Sequence, residues 1–293
     1  MNLLRCDDPA EAAAWCASER AAGRSLGFVP TMGALHEGHL ELVRRAAREN
    51  DVAAVSVFVN PLQFDDARDL AAYPRDLEGD ALLLDGEGCG LLFTGTLASF
   101  FPEARTPAEI EAVDPGPGAV GLEGEFRRGH FGGVATIVRR LFELTRPHRA
   151  YFGAKDFQQT LVVEHVARQL DGGPAIVVCP TSREPDGLAR SSRNRLLGES
   201  VRERAPLLFR ALSAARSAWS AGERDAEALA EVLRATLRHP EVELEYAEIR
   251  DPARWEDREP RGSLTRARAL VAARIGGVRL IDNLSLDAGE GGA

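Results

Sequence analysis

His36 and His39 stand three residues apart in the run Val29-Pro30-Thr31-Met32-Gly33-Ala34-Leu35-His36-Glu37-Gly38-His39. Residues three apart on a helix share a face. An imidazole can donate to a phosphate oxygen with or without a full charge, which suits negative charge that grows during phosphoryl or nucleotidyl transfer. A helix N-terminus adds unpaired N–H groups and the positive end of the dipole, and Gly38 lets a bulky anion approach the backbone. A zinc site fits less well: Glu37 is misplaced for H-E-x-x-H, and no third ligand lies nearby in sequence.

The second candidate is a cation. Among 36 lysines and arginines, Lys155 is the only lysine. A compact ammonium on a flexible stem behaves as a point charge that a planar guanidinium cannot always replace. It lies in Tyr151-Phe152-Gly153-Ala154-Lys155-Asp156-Phe157-Gln158-Gln159, where a strand gives way to a helix and Asp156 is the expected N-cap. A third loop, Asp186-Gly187-Leu188-Ala189-Arg190-Ser191-Ser192-Arg193-Asn194, combines hydroxyls, cations and a helix start. Taken alone, Ser-Ser-Arg-Asn is a routine helix cap. Taken together, the three turns are expected to serve one polyphosphate. Arg127-Arg128 and the group Arg183, Arg190, Arg193 and Arg195 are further candidates for small anions.

These turns need strands and helices to carry them. Apolar runs at Leu26 to Val29, Val52 to Val59, Leu91 to Thr94, Ala150 to Phe152 and Ala175 to Cys179 predict strands. Helical periodicity fills Leu40 to Arg48, Asp76 to Leu84, Val134 to Leu144 and Phe157 to Leu170. In the first of these helices, expected from about Gly38, Leu40, Val43 and Ala47 fall on the buried face. The alternation predicts an α/β fold, a parallel sheet with helices on both faces over residues 1–183, with ligands at the carboxyl ends of its strands. Residues 184–293 read as a smaller α+β domain: helices near Val201 to Ala221 and Ala226 to Leu237, a strand around Val242 to Ile249, and a hairpin turning at Gly276-Gly277. Residues 114–133, with seven glycines and two prolines, read as a mobile loop that closes over the site or equally as a passive surface loop, and the glycine-rich tail 287–293 as disordered.

Composition removes several classes of function. A formal net charge of −9 disfavours nonspecific nucleic-acid binding. Cys6, Cys16, Cys89 and Cys179 form no C-x-x-C pair, which argues against a disulfide scaffold, a structural zinc and thioredoxin-like chemistry. The N-terminus has no signal-peptide pattern and no stretch reaches transmembrane length, so a cytoplasmic location and no membrane partner are expected. Neither a nucleophile elbow nor a G-x-G-x-x-G after the first strand appears, leaving little support for Ser-His-Asp hydrolysis or dinucleotide redox.

The H-x-G-H loop resembles that of the nucleotidylyltransferases and class I aminoacyl-tRNA synthetases. More closely, the chain resembles the pantothenate synthetase (pantoate–beta-alanine ligase) family. The residues that carry this likeness run in order along nearly the whole chain: Pro30 through His39, Phe58-Val59-Asn60-Pro61-Leu62-Gln63-Phe64, Tyr73-Pro74-Arg75, Gly129-His130-Phe131, Lys155 to Gln159, Asp186 to Ala189, Ser191 to Asn194 and Arg279-Leu280-Ile281-Asp282-Asn283. The resemblance implies a Rossmann-like ATP domain, a smaller carboxyl-terminal lid domain, a homodimer, and magnesium-dependent joining of (R)-pantoate to beta-alanine through a pantoyl adenylate. His36, His39, Lys155 and Arg193 then carry catalysis. Pro30, Thr31, Met32, Gly33, Ala34, Leu35, His36, Glu37, Gly38, His39, Gly153, Ala154, Lys155, Asp156, Ser182, Arg190, Ser191, Ser192 and Arg193 contact ATP. Gln63 and Gln159 bind pantoate, Gln63 also bears on beta-alanine, and Asp80 matches the magnesium-associated acid, with Gly79 at a neighbouring position that carries an acid in some relatives. Arg190 stands where an apolar residue is common, and Ser182 where the main chain is expected to meet adenine.

Neutral amides at Gln63 and Gln159 suit an attacking carboxylate, because an arginine fork would hold it and reduce its nucleophilicity. Two rivals remain at this level. One is another adenylyl or cytidylyl transferase, whose phosphate substrate would want cations where those glutamines stand. The other is a noncatalytic nucleotide sensor, against which the intact His36, His39, Lys155 and Arg193 argue.

Overall fold

The computed structural model describes residues 3–256 and 258–287 of the 293. The glycine-rich tail from 288 onward lies outside the described residues. Among the described residues two compact units form: those within 1–119, 123–153 and 158–179 build the first, and those within 120–122, 154–157 and 180–293 the second.

The first unit is organised by a parallel sheet of six strands among the described residues, β1 (Leu4–Cys6), β2 (Leu26–Thr31), β3 (Val52–Val57), β4 (Leu91–Phe93), β5 (Arg149–Gly153) and β6 (Ala175–Cys179), in the order β1-β4-β3-β2-β5-β6. β3, Val-Ala-Ala-Val-Ser-Val, is buried at every position, as a central parallel strand covered on both faces must be. Side chains alternate between two apolar layers. Leu26, Phe28, Val52, Ala54, Leu91 and Phe93 face helices α1 (Pro9–Ala21), α4 (His130–Thr145) and α5 (Phe157–Gln169). Val29, Ala53, Val55 and Leu92 face α2 (Glu37–Glu49) and α3 (Leu77–Leu84). Strand order reverses between β2 and β5, and in such sheets ligands bind outside the carboxyl ends of the strands at that point.

The second unit packs α6 (Leu207–Ser220) and α7 (Ala226–Leu237) on an antiparallel sheet ordered β7 (Val242–Arg250), β8 (Arg268–Ile275), β9 (Val278–Ser285). Ala269, Val271, Ala273 and Ile275 of β8 face these helices. Leu270 and Ala272 face the other way, into a small cluster with Leu122, Tyr246, Phe157, Trp255 and Ile281. The hairpin joining β8 to β9 turns at Gly276 and Gly277, both at positive φ.

Several elements depart from the pattern expected from periodicity. β1 and α1 carry no strong signal: β1 is three residues long, and the apolar side chains that α1 adds to the buried core, Ala12 and Cys16, are small, with Trp15 packed partly buried against it. Asp8 at its N-cap and Pro9 in its first turn are the local marks of that helix. The single helix expected over 201–221 is two, Glu199–Arg202 and α6, with Pro206 at the break. The stretch 114–133 has more structure than its glycines suggest, holding short turns at Pro117–Ala119 and Glu123–Phe126, buried Leu122 and Phe131, and the start of α4 at His130. All four cysteines are buried and free.

Gly133 shows why glycine belongs inside α4. A Cβ there would lie 2.1 Å from the carbonyl oxygen of Leu62, and Asn60 Nδ2 donates to the Gly133 carbonyl at 3.1 Å. Helix propensity alone would favour Gly133→Ala by about 1 kcal/mol. We expect the reverse, a loss of about 1–3 kcal/mol from overpacking, read as a lowered urea midpoint. A raised midpoint would show that the close approach of Leu62 is not a constraint.

Candidate active site

The histidine turn leaves the carboxyl end of β2. Thr31 Oγ1 donates to the Ser56 carbonyl on the neighbouring strand (2.7 Å) and accepts the Gly33 N–H (3.2 Å). Gly33 sits at φ +82 and Ala34 at φ +49. A Cβ on Gly33 would meet Val57 Cγ1 at 2.8 Å and Asp80 Oδ2 at 2.9 Å, so both conformation and space require glycine. Left-handed backbone at Ala34 costs about 1–2 kcal/mol. The Asp80 carboxylate offsets it: Oδ2 accepts the Ala34 N–H at 2.9 Å and Oδ1 the Leu35 N–H at 2.6 Å. Asp80 is only 2% exposed, in the first turn of α3, whose own start is capped by Asp76 through the Gly79 N–H.

Two residues beyond Ala34, His36 occupies the N-cap of α2 in extended conformation, one residue earlier than expected from the sequence. The His36 N–H points at His39 Nδ1 (3.3 Å), and the two rings lie 4.1 Å apart between centroids. His39 Nδ1 is thereby the acceptor, which places the proton of a neutral ring on Nε2. The turn presents an N–H donor on the far side of His39, at a helix start.

In the same unit Gln63 is buried, with its amide oriented from two sides. Asn60 Nδ2 donates to Oε1 at 3.0 Å, and Gln63 Nε2 lies 3.0 Å from Met32 Sδ of the histidine turn. The Gln63 carbonyl receives His130 Nδ1 at 2.8 Å, and Arg127 Nη1 is 3.1 Å from His130 Nε2. Arg127 therefore buttresses the loop beneath Gln63, with Glu123 3.8 Å away, where the sequence suggests a free anion-binding cation. Gln159 is half-buried in α5, whereas its neighbour Gln158 is buried and accepts the Glu123 N–H.

The second unit holds the other cations. Lys155 lies in a single 3-10 turn, Ala154–Asp156, that precedes α5, and its ammonium is 3.2 Å from Asp156 Oδ1. Its side chain is 18% exposed. The loop 182–195 is secured through Arg183, whose guanidinium grips Asp282 of β9 in a two-pronged ion pair (2.7 and 3.0 Å) and donates to the Gly187 carbonyl (2.9 Å). Burial pushes the Asp282 carboxyl up, opposed by the Arg183 hydrogen bond and charge. Arg183 is thus structural, a correction to its place in the anion-binding group. Arg190 N–H closes the loop on the Ser182 carbonyl at 2.9 Å. Ser191 caps the turn Ser192–Leu196, its Oγ accepting the Arg193 N–H. Arg202 ties down Asp186, holding that carboxyl below the usual range.

The structure joins Met32 to Gln63, His36 to His39, and Ser182 to Arg190. Asn60, Asp80 and Arg183 hold these turns in place, tasks for which spacing did not single them out. Asp282-Asn283 carried a signal: two polar residues in succession on an apolar strand put a buried polar group on each face of the sheet.

Such a fold, with a helix-capping H-x-G-H turn after a parallel strand, defines a nucleotide-using α/β enzyme. A family model described as pantoate-beta-alanine ligase matches residues 5–285. The chain is 48% identical over 274 residues to the pantothenate synthetase of Roseiflexus castenholzii, covering 93% of this chain and 96% of that one. It is 47% identical over 283 residues to that of Mycolicibacterium smegmatis, covering 96% and 87%. Among solved structures, a pantothenate synthetase from Thermus thermophilus superposes with a TM-score of 0.87 at 43% identity, covering 98% of this chain and 99% of that one. The pantoate-beta-alanine ligase of Francisella tularensis, complexed with beta-gamma ATP and beta-alanine, gives 0.79 at 32% identity, covering 99% and 100%. This chain belongs to the pantoate–beta-alanine ligase family.

Asp80→Asn replaces one acceptor oxygen by an NH2 group that faces a backbone N–H. We expect a loss of about 1.5–3 kcal/mol of stability, the scale of a hydrogen bond to a charged group, visible as a lowered thermal midpoint. An unchanged midpoint would show that the carboxylate does not hold the turn.

Proposed function

We infer that this protein joins pantoate to beta-alanine at the expense of ATP, forming pantothenate, AMP and diphosphate. The match to the family over residues 5–285, with the histidine turn built as described, carries this reading. In the first step a carboxylate oxygen of pantoate bonds to the α-phosphorus and the bond to the leaving diphosphate breaks. In the second the beta-alanine amine attacks the acyl carbon, loses a proton, and AMP departs. No enzyme nucleophile is needed. Positioning and a place for accumulating negative charge suffice.

His39, with Nδ1 already accepting, donates from Nε2 to a phosphate oxygen, and His36 lies beside it. Lys155 and Arg193 bring full positive charge to the same phosphates. The turns Pro30 to His39 and Gly153 to Asp156, with Ser182 and Arg190 to Arg193, contact ATP. Gln63 and Gln159 orient pantoate, and Gln63 also bears on beta-alanine. Gln63 suits the task because Asn60 occupies its Oε1 from one side, leaving the amide fixed rather than free to rotate. The Francisella relative complexed with beta-gamma ATP and beta-alanine supports both as substrates here. A homodimer in the cytoplasm completes the reading, and no helix among the described residues is long and apolar enough to cross a membrane.

Magnesium belongs to this reading as a companion of ATP. Asp80 is the acid that the family likeness associates with magnesium; one lone pair on each of its oxygens already receives a backbone N–H, and its neighbour at 79 is glycine. Among the described residues no group of three or more acidic, histidine or cysteine side chains is arranged to hold an ion. Magnesium that keeps several waters and binds chiefly through substrate phosphates needs no such cage.

The deciding experiment is ATP–pyrophosphate exchange, expected to depend on pantoate, together with AMP release that depends on beta-alanine. Exchange that ignores pantoate and responds to a phosphorylated metabolite would favour another nucleotidyl transferase. His39→Ala should slow adenylation by about 2–4 kcal/mol, the scale of one lost donor at a developing charge. Lys155→Arg should fold normally and lose most of its exchange rate, because a planar fork cannot stand in for a point charge. Near-full exchange in that variant would show the lone lysine to be incidental.

A further inference from the structure

Asn283 sits on β9 opposite Leu270 of β8 and is 4% exposed. Its Nδ2 donates to two successive carbonyls, Ala154 at 2.9 Å and Lys155 at 2.7 Å. Its Oδ1 receives Arg268 Nη1 at 2.7 Å, and the Arg268 guanidinium lies over the ring of Phe157, 4.1 Å from its centroid. An acceptor-less guanidinium on Oδ1 settles which end of the amide is nitrogen. Both amide hydrogens are then directed at the Lys155 turn. Ile281, two residues earlier and on the same face of β9, is packed in the apolar cluster with Leu270 and Phe157. The anchor therefore belongs to a paired strand rather than to a loop.

We propose that Asn283 is the positioning residue for Lys155. Holding the carbonyls of residues 154 and 155 fixes the peptide planes on either side of the Lys155 Cα, and so the point from which the four-carbon stem departs. A neutral donor does this without adding charge beside the ammonium. Aspartate, nearly the same in shape, would turn lone pairs toward both carbonyls and could still pair with Arg268. The inference rests on the reading that Lys155 acts on the phosphates of ATP.

Lys155 being the only lysine makes a direct test available. Reductive methylation with carbon-13 formaldehyde labels one side-chain amine besides the chain terminus, and methylation keeps the charge. In Asn283→Asp the Lys155 methyl resonance is expected to move toward that of free dimethyl-lysine and to lose its response to ATP. Pantoate-dependent exchange should fall on the order of 10²-fold in kcat, the effect of displacing a catalytic group by about 1 Å, while the KM for beta-alanine stays unchanged. In a Lys155→Ala background the same substitution should cost less than about twofold more, as expected for residues acting as one unit. Full exchange in folded Asn283→Asp, or an equal fractional loss in the Lys155→Ala background, overturns the proposal. Undiminished exchange in Lys155→Ala alone overturns the role of Lys155 instead. Should Asn283→Asp not fold, Asn283→Ser retains one donor and is expected to fall between wild type and Lys155→Ala. Wild-type exchange in it would likewise overturn the proposal.

Discussion

A buried carboxylate accepting two successive backbone N–H groups decides where the two imidazoles stand. The turn between β2 and α2 contains left-handed Gly33 and Ala34 and cannot satisfy its own donors by regular secondary structure. Asp80 supplies the acceptors from the first turn of another helix, and its charge makes those bonds stronger than neutral ones. With the turn fixed, His36 falls at the N-cap and His39 one helical turn further on, where the His36 N–H sets its tautomer. Geometry at the histidines is inherited from a residue that need never touch a substrate.

The second unit repeats the device with other chemistry. Two consecutive residues of β9 point to opposite faces of the sheet, as strand alternation requires. Asp282 secures the loop 182–195 through Arg183, and Asn283 secures the Lys155 turn directly. Irregular backbone is in each case bound to a regular element by a buried polar side chain. Such groups are tolerated in a core only when fully hydrogen-bonded, so each anchor is also a point of structural vulnerability.

The parallel sheet, its flanking helices and the C-terminal hairpin were legible in the sequence because continuous Val/Ile/Leu runs and 3.6-residue periodicity are strong local signals. The histidine turn was legible for the same reason, being glycine and histidine wedged between such a strand and such a helix. β1 and α1 were not, because three residues form too short a run and α1 buries alanine and cysteine where a periodic stripe of large side chains would have marked it. The glycines of 114–133 spoke for a loop, yet tertiary packing draws Leu122 and Phe131 inside and starts a helix at His130. Arg183 and Arg127 read as free cations because their partners, Asp282 and His130 with Glu123, are assigned only by the fold. Spacing reveals a charge, but not what has already neutralised it.

The four cysteines lie within the two layers of the first unit, away from solvent. Burial pushes the thiols of Cys16 and Cys89 up to about 12, and raises those of Cys6 and Cys179 as well. Since the thiolate is the reactive species, almost none of it exists at neutral pH. Thiols held this way, buried and un-ionised, offer peroxide or a partner disulfide little to react with.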